Sequence, residues 1–268
     1  MNNKRKVKVK QMTKEYAKTY CHSMSKSLND KLFFLKEIDI NSYDVIVDFG
    51  CADGALLEAL CDKSILSNEN TKLIGIEKSS TLIELCRARL GDKVLIASSV
   101  YDVEDWLKKS KNTLAIFNSV LHECFSPEQF DVDGFDYLES IANTIAIRDM
   151  RAPMIKGPID GTTRARLIKT LSAGDVMRFE GQFGRIDNIT NLYRFFLMYK
   201  WTDNWEHELK EDYFSIPWNG IKESMANYGY HVIYEKDYIL PYLKKEIAAK
   251  FQHNLRQPTH KQIIFDRN

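Results

Sequence analysis

Two hydrophobic periods alternate along the first half of the chain. Short, almost wholly apolar runs occur at 45–49 (Val-Ile-Val-Asp-Phe), 72–76, 93–98, 113–118 and 143–148. Such runs predict strands buried on both faces. Between them, 53–62, 79–90, 102–109 and about 134–142 mix apolar and polar residues at helical spacing. Ser79 or Ser80 is placed to cap the second of these helices, and Gly91 to end it. Strands separated by helices imply a parallel sheet with right-handed crossovers. Ahead of this alternation, 11–39 reads helical, with an imperfect stripe of Tyr16, Tyr20, Leu28, Leu32, Phe33 and Leu35 that Asn29-Asp30 interrupts.

The alternation stops after 148. Residues 149–217 contain no defensible strand, are punctuated by Gly157, Gly161, Gly174, Gly181 and Gly184, and predict short helices near 162–171 and 187–212. A helix over 218–228, a strand over 230–236, a linking segment and a last strand over 260–265 follow. Long irregular connections in compact domains are functional or disordered. This one carries Phe179, Phe183, Tyr193, Phe195, Phe196, Tyr199, Trp201 and Trp205, which argues for order. It leaves the sheet at a carboxyl strand end, where open sheets bind ligands. The expected organisation is a helical lid over 1–40 and a doubly wound α/β domain over 41–268, with 149–217 inserted as a helical cap that binds the acceptor.

The turn after the first strand narrows the chemistry. Asp48-Phe49-Gly50-Cys51-Ala52-Asp53-Gly54 leads straight into a helix, and the second strand ends at Glu77. A dinucleotide fingerprint needs Gly-x-Gly-x-x-Gly, so that backbone can approach a pyrophosphate. Positions 50, 52 and 55 here are Gly, Ala and Ala, and the Ala52 methyl hinders that approach. No Gly-Lys-Ser/Thr follows either, which excludes a P-loop. A ligand with a ribose diol for Glu77 but no phosphate fits better, and S-adenosyl-L-methionine is one.

With Asp48, Gly50, Gly54 and Glu77 in these places, the chain resembles the class I S-adenosylmethionine-dependent methyltransferases over roughly 40–150. The resemblance implies a mostly parallel seven-stranded, Rossmann-like sheet whose last strand is antiparallel. It implies a cofactor shell of Asp48, Gly50, Cys51, Ala52, Gly54, Glu77, Lys78, Ser99, Val100 and Asn118. Ala52 replaces the middle glycine of the motif, and Ser99 stands where the family usually has an Asp for the adenine amine. Asn118-Ser119-Val120-Leu121-His122-Glu123 falls at the end of the fourth strand. It lacks the Pro-Pro-aromatic of enzymes acting on base amines, and the chain has no Pro-Cys dipeptide. That favours small-molecule and O-directed acceptors.

For a hydroxyl acceptor His122 is the candidate general base, because imidazole titrates near neutrality. Glu123 could orient it or act itself, and Asp149, ending the fifth strand, is a further base or acceptor anchor. The plainer readings are a helix-start histidine bonded to backbone and a local Arg148–Asp149 ion pair. His207 and Glu211 are one helical turn apart, yet no second histidine lies nearby in sequence, so no metal is expected.

Composition adds bounds. The 268 residues are 44% hydrophobic and 28% charged, with a net charge of +1, so no global field points to nucleic acid or membrane. Five cysteines without a Cys-x-x-Cys read as reduced thiols in a cytoplasmic protein. No apolar run approaches a membrane span, and MNNKRKVKVK has no apolar stretch behind its charges. Its five basic residues are a solvated tail or a phosphate contact. Residues 148–200 carry ten basic side chains against five acids, which suits an acidic or phosphorylated acceptor. The reading is a methyltransferase for a small or phosphate-bearing acceptor, possibly at oxygen. The alternatives are an RNA-modifying methyltransferase and a non-catalytic cofactor-binding regulatory module. Oligomeric state is not legible.

Overall fold

The computed structural model of the protein describes residues 13–125, 132–199, 201 and 205–267. The basic N-terminal tail and the side chain of His207 therefore lie outside the described residues. Seven strands form one sheet: β1 (Val45–Phe49), β2 (Lys72–Ile76), β3 (Leu95–Ala97), β4 (Thr113–Asn118), β5 (Thr144–Met150), β6 (His231–Tyr238) and β7 (His260–Asp266). Their spatial order is β3-β2-β1-β4-β5-β7-β6. The first five run parallel, and β7 lies antiparallel between β5 and β6. The expected doubly wound, seven-stranded α/β sheet with a reversed last strand is what the chain forms.

Alternation along each strand divides the core. Val45, Val47, Phe49, Ala115 and Phe117 face one layer, with Phe135, Leu138, Ile221 and Met225. Ile46, Leu114 and Ile116 face the other, with Leu56, Leu57, Leu60 and Leu90. Helices cover both faces, which is why the inner strands carry so few polar residues. Register aligns the ends that matter: Asp48 pairs with Gly75, Phe49 with Ile76 and Phe117, and Asn118 with Arg148. The carboxyl ends of β1, β2, β4 and β5 thus share one edge of the molecule.

Several segments differ from expectation. β5 runs on to Met150, because its antiparallel pairing with β7 continues through Asp149–Lys261 and Met150–His260. The helix Ala173–Phe183 passes through Gly174 and Gly181, starting at a Ser172 cap and ending at Gly184 with φ +82°. The 187–212 stretch holds two helices, Ile189–Met198 and Trp205–Glu208. The supposed linker before β7 contains the helix Pro241–Phe251, whose proline stands in the first turn, where its missing N–H costs nothing. At the N-terminal end, Lys14–Ser25, Leu28–Lys31 and a 3-10 turn at Phe33–Lys36 replace one interrupted helix.

A third core, separate from the sheet faces, joins the inserted helices to Pro241–Phe251. Leu167, Phe179, Phe195, Phe196, Trp205, Ile247 and Phe251 meet there. Phe195 is fully buried, with ring centroids 5.2 Å from Phe179 and 6.4 Å from both Trp205 and Phe251. Phe195→Ala is expected to cost about 3–5 kcal/mol of folding stability, read from the shift of a denaturant midpoint. A loss under 1 kcal/mol would mean that this cluster does not hold the insertion.

Candidate functional site

The β1 turn winds through three left-handed residues, Gly50 (φ +74°), Ala52 (φ +49°) and Gly54 (φ +78°). The amides of Gly50 and Cys51 donate to the Ile76 carbonyl at 2.9 and 3.0 Å, which pins the turn against β2. Both glycines are also in tight places. A Cβ on Gly50 would lie 2.7 Å from Val120 Cγ2, and one on Gly54 would lie 2.6 Å from Cys86 Sγ. Ala52 takes the left-handed conformation with a side chain, at a cost of roughly 1–2 kcal/mol. Its N–H donates to Glu77 Oε2 at 3.0 Å. That amide turns inward to a carboxylate, and the geometry is unlike a loop that cradles a pyrophosphate.

Glu77 is 8% exposed, and its Oε1 accepts the Ser79 N–H at 2.8 Å. Burial raises its carboxyl above the usual range, while the amides of Ser79 and Ala52 pull the other way. A carboxylate fixed along one edge by two amides keeps lone pairs for a diol. Asp48 is buried in β1, and its carboxyl is pushed up to about 7 by burial, with the Glu77 charge adding to the rise and Lys31 opposing it. Asn118 ends β4 at 7% exposure, and neither polar atom of its side chain finds a hydrogen-bond partner among the described residues. A buried amide without partners costs about 1–3 kcal/mol and calls for a ligand.

The other expected cofactor residues are placed as follows. Cys51 is buried against Cys86, and that contact and burial push its thiol far above the ordinary range. Burial likewise raises Cys21 to about 12, so neither is a thiolate nucleophile. Lys78 is exposed. Val100 is fully buried beside Phe49 and Phe117. Ser99 caps a 3-10 turn over Val100–Val103: its Oγ accepts the Tyr101 N–H, and its own N–H donates to Asp102 Oδ2.

The N-terminal segment reaches this edge with residues that sequence reasoning did not single out. Asp30 Oδ2 receives Arg148 Nε at 2.5 Å and the Tyr238 hydroxyl at 2.6 Å, while Gln262 Nε2 donates to the Asp30 carbonyl at 3.2 Å. Arg148, 2% exposed, also donates from Nη1 to Ser119 Oγ. Lys31 comes within electrostatic reach of Asp48 and Asp53, and burial together with Arg148 lowers its ammonium to about 8. No sequence signal could have joined Asp30 to a strand end 118 residues away.

A second cluster forms at the ends of β4 and β5. Asp149 is fully buried, with Oδ2 accepting the amides of Leu121 (2.8 Å) and His122 (3.2 Å). Its Oδ1 accepts the Met150 amide (2.6 Å) and lies 2.9 Å from His122 Nδ1. With four donors around it, this carboxylate positions its neighbours. Successive strand residues face opposite ways, so the local Arg148–Asp149 pair does not form: Arg148 goes to Asp30 and Asp149 to His122. His122 is 3% exposed, and its Nε2 lies 3.6 Å from Glu211 Oε2. The Tyr213 ring stands edge-on to the imidazole at 5.1 Å, and its hydroxyl donates to Glu208. Tyr20, from the N-terminal helix, feels Glu123, Glu208, Glu211 and Glu77 at once. Burial raises its hydroxyl well above the ordinary range and these charges add to the rise, so Tyr20 lies within electrostatic reach of both Glu77 and the acids around His122.

Two hollows flank these clusters. One of 460 Å³ lies along β3, lined by Ile83, Arg87, Ile96, Ser98 and Asp102, and touches none of Asp48, Glu77 or Asn118. The other, of 360 Å³, opens at the carboxyl end of β5 between Met150–Met154 and Phe214–Gly220.

Five parallel strands in the order β3-β2-β1-β4-β5, followed by an antiparallel β7 set inside β6, decide the fold type. This is the fold of the class I S-adenosylmethionine-dependent methyltransferases. No family model matches the chain, and no curated protein is similar to it in sequence. Solved methyltransferase structures are similar in shape at low identity. The methyltransferase domain of bacterial CtHen1-C is 14% identical, over 91% of this chain and 97% of that one, with a TM-score of 0.47. The plantazolicin methyltransferase BamL is 13% identical, over 94% and 88%, with a TM-score of 0.49. A SAM-dependent methyltransferase from Anabaena variabilis is 9% identical, over 98% and 99%, with a TM-score of 0.48. Among the described residues no helix is long and apolar enough to cross a membrane.

The methyltransferase-fold turn yields a paired test. Gly54→Ala forces a side chain onto Cys86 and Leu90 at positive φ and is expected to cost about 2–4 kcal/mol in thermal or denaturant unfolding. Gly181→Ala, in mid-helix with nothing within 4 Å of the new methyl, is expected to stabilise by about 0.4–1 kcal/mol. Equal effects at the two positions would contradict the packing described.

Proposed function

We propose that the protein is an S-adenosylmethionine-dependent methyltransferase acting on a small acceptor, at oxygen. The observation that carries the proposal is the partnerless, buried side chain of Asn118 at the carboxyl end of β4, on the same sheet edge as the buried carboxylate of Glu77 that follows β2. Together they offer what an adenosine with an amino-acid tail needs. Glu77 would accept from the ribose diol. Asn118 and Lys31 would hold the amino-acid end, near Asp48. When bound, the cofactor supplies a methyl group on a positively charged sulfur. The chain's own task is then to hold an acceptor in line and keep water out.

The acceptor side is supported by position and by charge. His122, Glu123 and Glu211 gather next to the cofactor crevice, and Tyr20 lies within electrostatic reach of both. Burial works against the charged imidazole, but Asp149 and Glu211 hold His122 well above its ordinary range, so the carboxylates of Glu123 and Glu211 would be the groups there to take a hydroxyl's proton. The hollow at the end of β5 has a mixed lining, with Met150, Met154, Phe214 and Trp218 beside Arg151 and Asn219, and its size suits a small molecule. A phosphate on the acceptor receives less support. Six of the ten basic residues of 148–200 have a carboxylate within 4.0 Å, and four of these pairs, those of Arg148, Arg151, Arg164 and Arg194, are largely buried, so part of that positive charge is already answered inside the fold.

Calorimetric titration with S-adenosylhomocysteine is expected to give heat at one site per chain, and titration with NAD none. No heat with the first ligand would end the proposal. Glu77→Ala is expected to weaken that binding by about 1–3 kcal/mol, roughly 5- to 150-fold, the range for losing buried hydrogen bonds. Asn118→Leu separates binding from folding. Removing a buried amide without partners should raise the melting temperature of the ligand-free chain, while affinity for S-adenosylhomocysteine falls. A lower melting temperature with unchanged affinity would show that Asn118 serves the fold alone.

A further inference from the structure

We infer, resting on the methyl-transfer reading above, that the acceptor carries a carboxylate and that Arg148, at the carboxyl end of β5, is its anchor. Arg148 is 2% exposed, and its guanidinium is only partly used. Nε donates to Asp30 and to the Tyr238 hydroxyl, and Nη1 donates to Ser119 Oγ. Nη2 is closed off from solvent and has no hydrogen-bond partner among the described residues. An unused donor on a buried charge is expensive to keep, and the planar fork of an arginine matches the two oxygens of a carboxylate.

Place on the sheet decides which ligand meets that donor. Side chains alternate along a strand, so Arg148 leaves β5 on the same face as Met150, two residues and about 7 Å farther along, and on the face opposite Asp149. Met150 lines the hollow that opens at this end of β5. The register neighbour of Arg148 is Asn118 on β4. In the proposed function the cofactor reaches from Glu77, after β2, to Asn118. β5 is the next strand along that edge, so Arg148 stands past the cofactor, on the acceptor's side.

The charges agree with that placement. Lys31 lies within electrostatic reach of Arg148, which puts two positive groups in one neighbourhood. Asp30 answers the first. Asp48 has its carboxyl pushed up to about 7, mainly by burial, and Asp53 is paired with Arg89, so the second is answered only in part. Asp149, on the opposite face of β5, holds His122 with Glu123 and Glu211 beside it. A carboxylate is repelled on that side and attracted at Arg148. The two sides therefore fix which way round an acceptor lies when it has a carboxylate at one end and a hydroxyl at the other. The hydroxyl falls to the acids that would take its proton. One unused guanidinium nitrogen suits the single charge of a carboxylate better than the two of a phosphate.

The test uses the full native chain with acetate as the probe, and acetamide, chloride and phosphate at matched ionic strength as controls. The melting temperature is followed in three states: alone, with saturating 5′-methylthioadenosine, which lacks the amino-acid tail, and with saturating S-adenosylhomocysteine. Acetate is expected to raise it saturably in all three, and the controls are not. Arg148→Lys, which keeps the charge and loses the second nitrogen, should weaken the acetate effect about tenfold or more, the range for losing a hydrogen bond to a charged group. Lys31→Met leaves every hydrogen bond of Arg148 in place and should weaken it about threefold, which keeps the test usable if Arg148→Lys does not fold. No saturable effect of acetate, or one that acetamide or phosphate matches, overturns the carboxylate anchor. An effect that S-adenosylhomocysteine abolishes and methylthioadenosine does not would give Arg148 to the cofactor's own tail and overturn the acceptor. Binding of both nucleosides without an acetate effect removes this inference and leaves methyl transfer standing; failure of both to bind removes methyl transfer itself.

Discussion

A carboxylate buried at the end of a strand has to find donors, and at this sheet's carboxyl edge two of them find backbone amides. Asp149 takes those of Leu121, His122 and Met150 as well as the imidazole of His122. Glu77 takes those of Ala52 and Ser79. Each leaves a strand and fixes the loop that follows a neighbouring strand. The energetic reason is plain: an unpaired buried carboxylate is expensive, and charge-assisted bonds to amides are among the stronger ones available. The loops after β1 and β4 are therefore set by the sheet's own polar residues. Ala52 keeps its unfavourable backbone angle only because that grip exists.

Arg148 does the same work with the opposite charge. Buried in β5, it needs acceptors and reaches Asp30, Ser119 and Tyr238. The outcome is a short N-terminal helix, Leu28–Lys31, tied through Asp30 to β5, β6 and β7, with Lys31 within electrostatic reach of Asp48 and Tyr20 within that of Glu77 and Glu211. The N-terminal segment, the Asp48–Glu77 edge and the acid cluster thus lie within one electrostatic neighbourhood.

How much of this could be seen in the sequence follows from the range of each interaction. β1, β2 and β4 were legible to the residue, because a strand buried on both faces leaves a continuous apolar run. Asp48, Glu77, Asn118, His122 and Asp149 stood out because they end such runs, and parallel strands bring those ends together. The helix at Ala173–Phe183 was missed because Gly174 and Gly181 read as breaks, although neither position demands a glycine's backbone. Pro241 read as part of a linker, although proline is at home in a first helical turn. Nothing in the sequence tied Asp30, Lys31, Tyr20 or Glu211 to the sheet edge, since only the folded topology brings them there; Tyr20 read as part of an apolar stripe, Asp30 as a break in it and Glu211 as a neighbour of His207. Of the ten basic residues of 148–200, Arg148, Arg151, Arg164 and Arg194 turn inward to carboxylates, which composition alone could not show.

The position of β7 has a consequence for how the chain can come to rest. It fills the gap between β5 and β6, and β6 makes its ladder with β7. While the ribosome has delivered β1 through β5, those strands can already stack in order, but β6 has no berth beside them. It must wait, with its helix Trp218–Asn227 and the insertion half-assembled, until residues 260–266 emerge and slot in from the opposite direction. Until β7 is in place the sheet keeps an open edge at β5, the interval in which a chaperone would have most to protect.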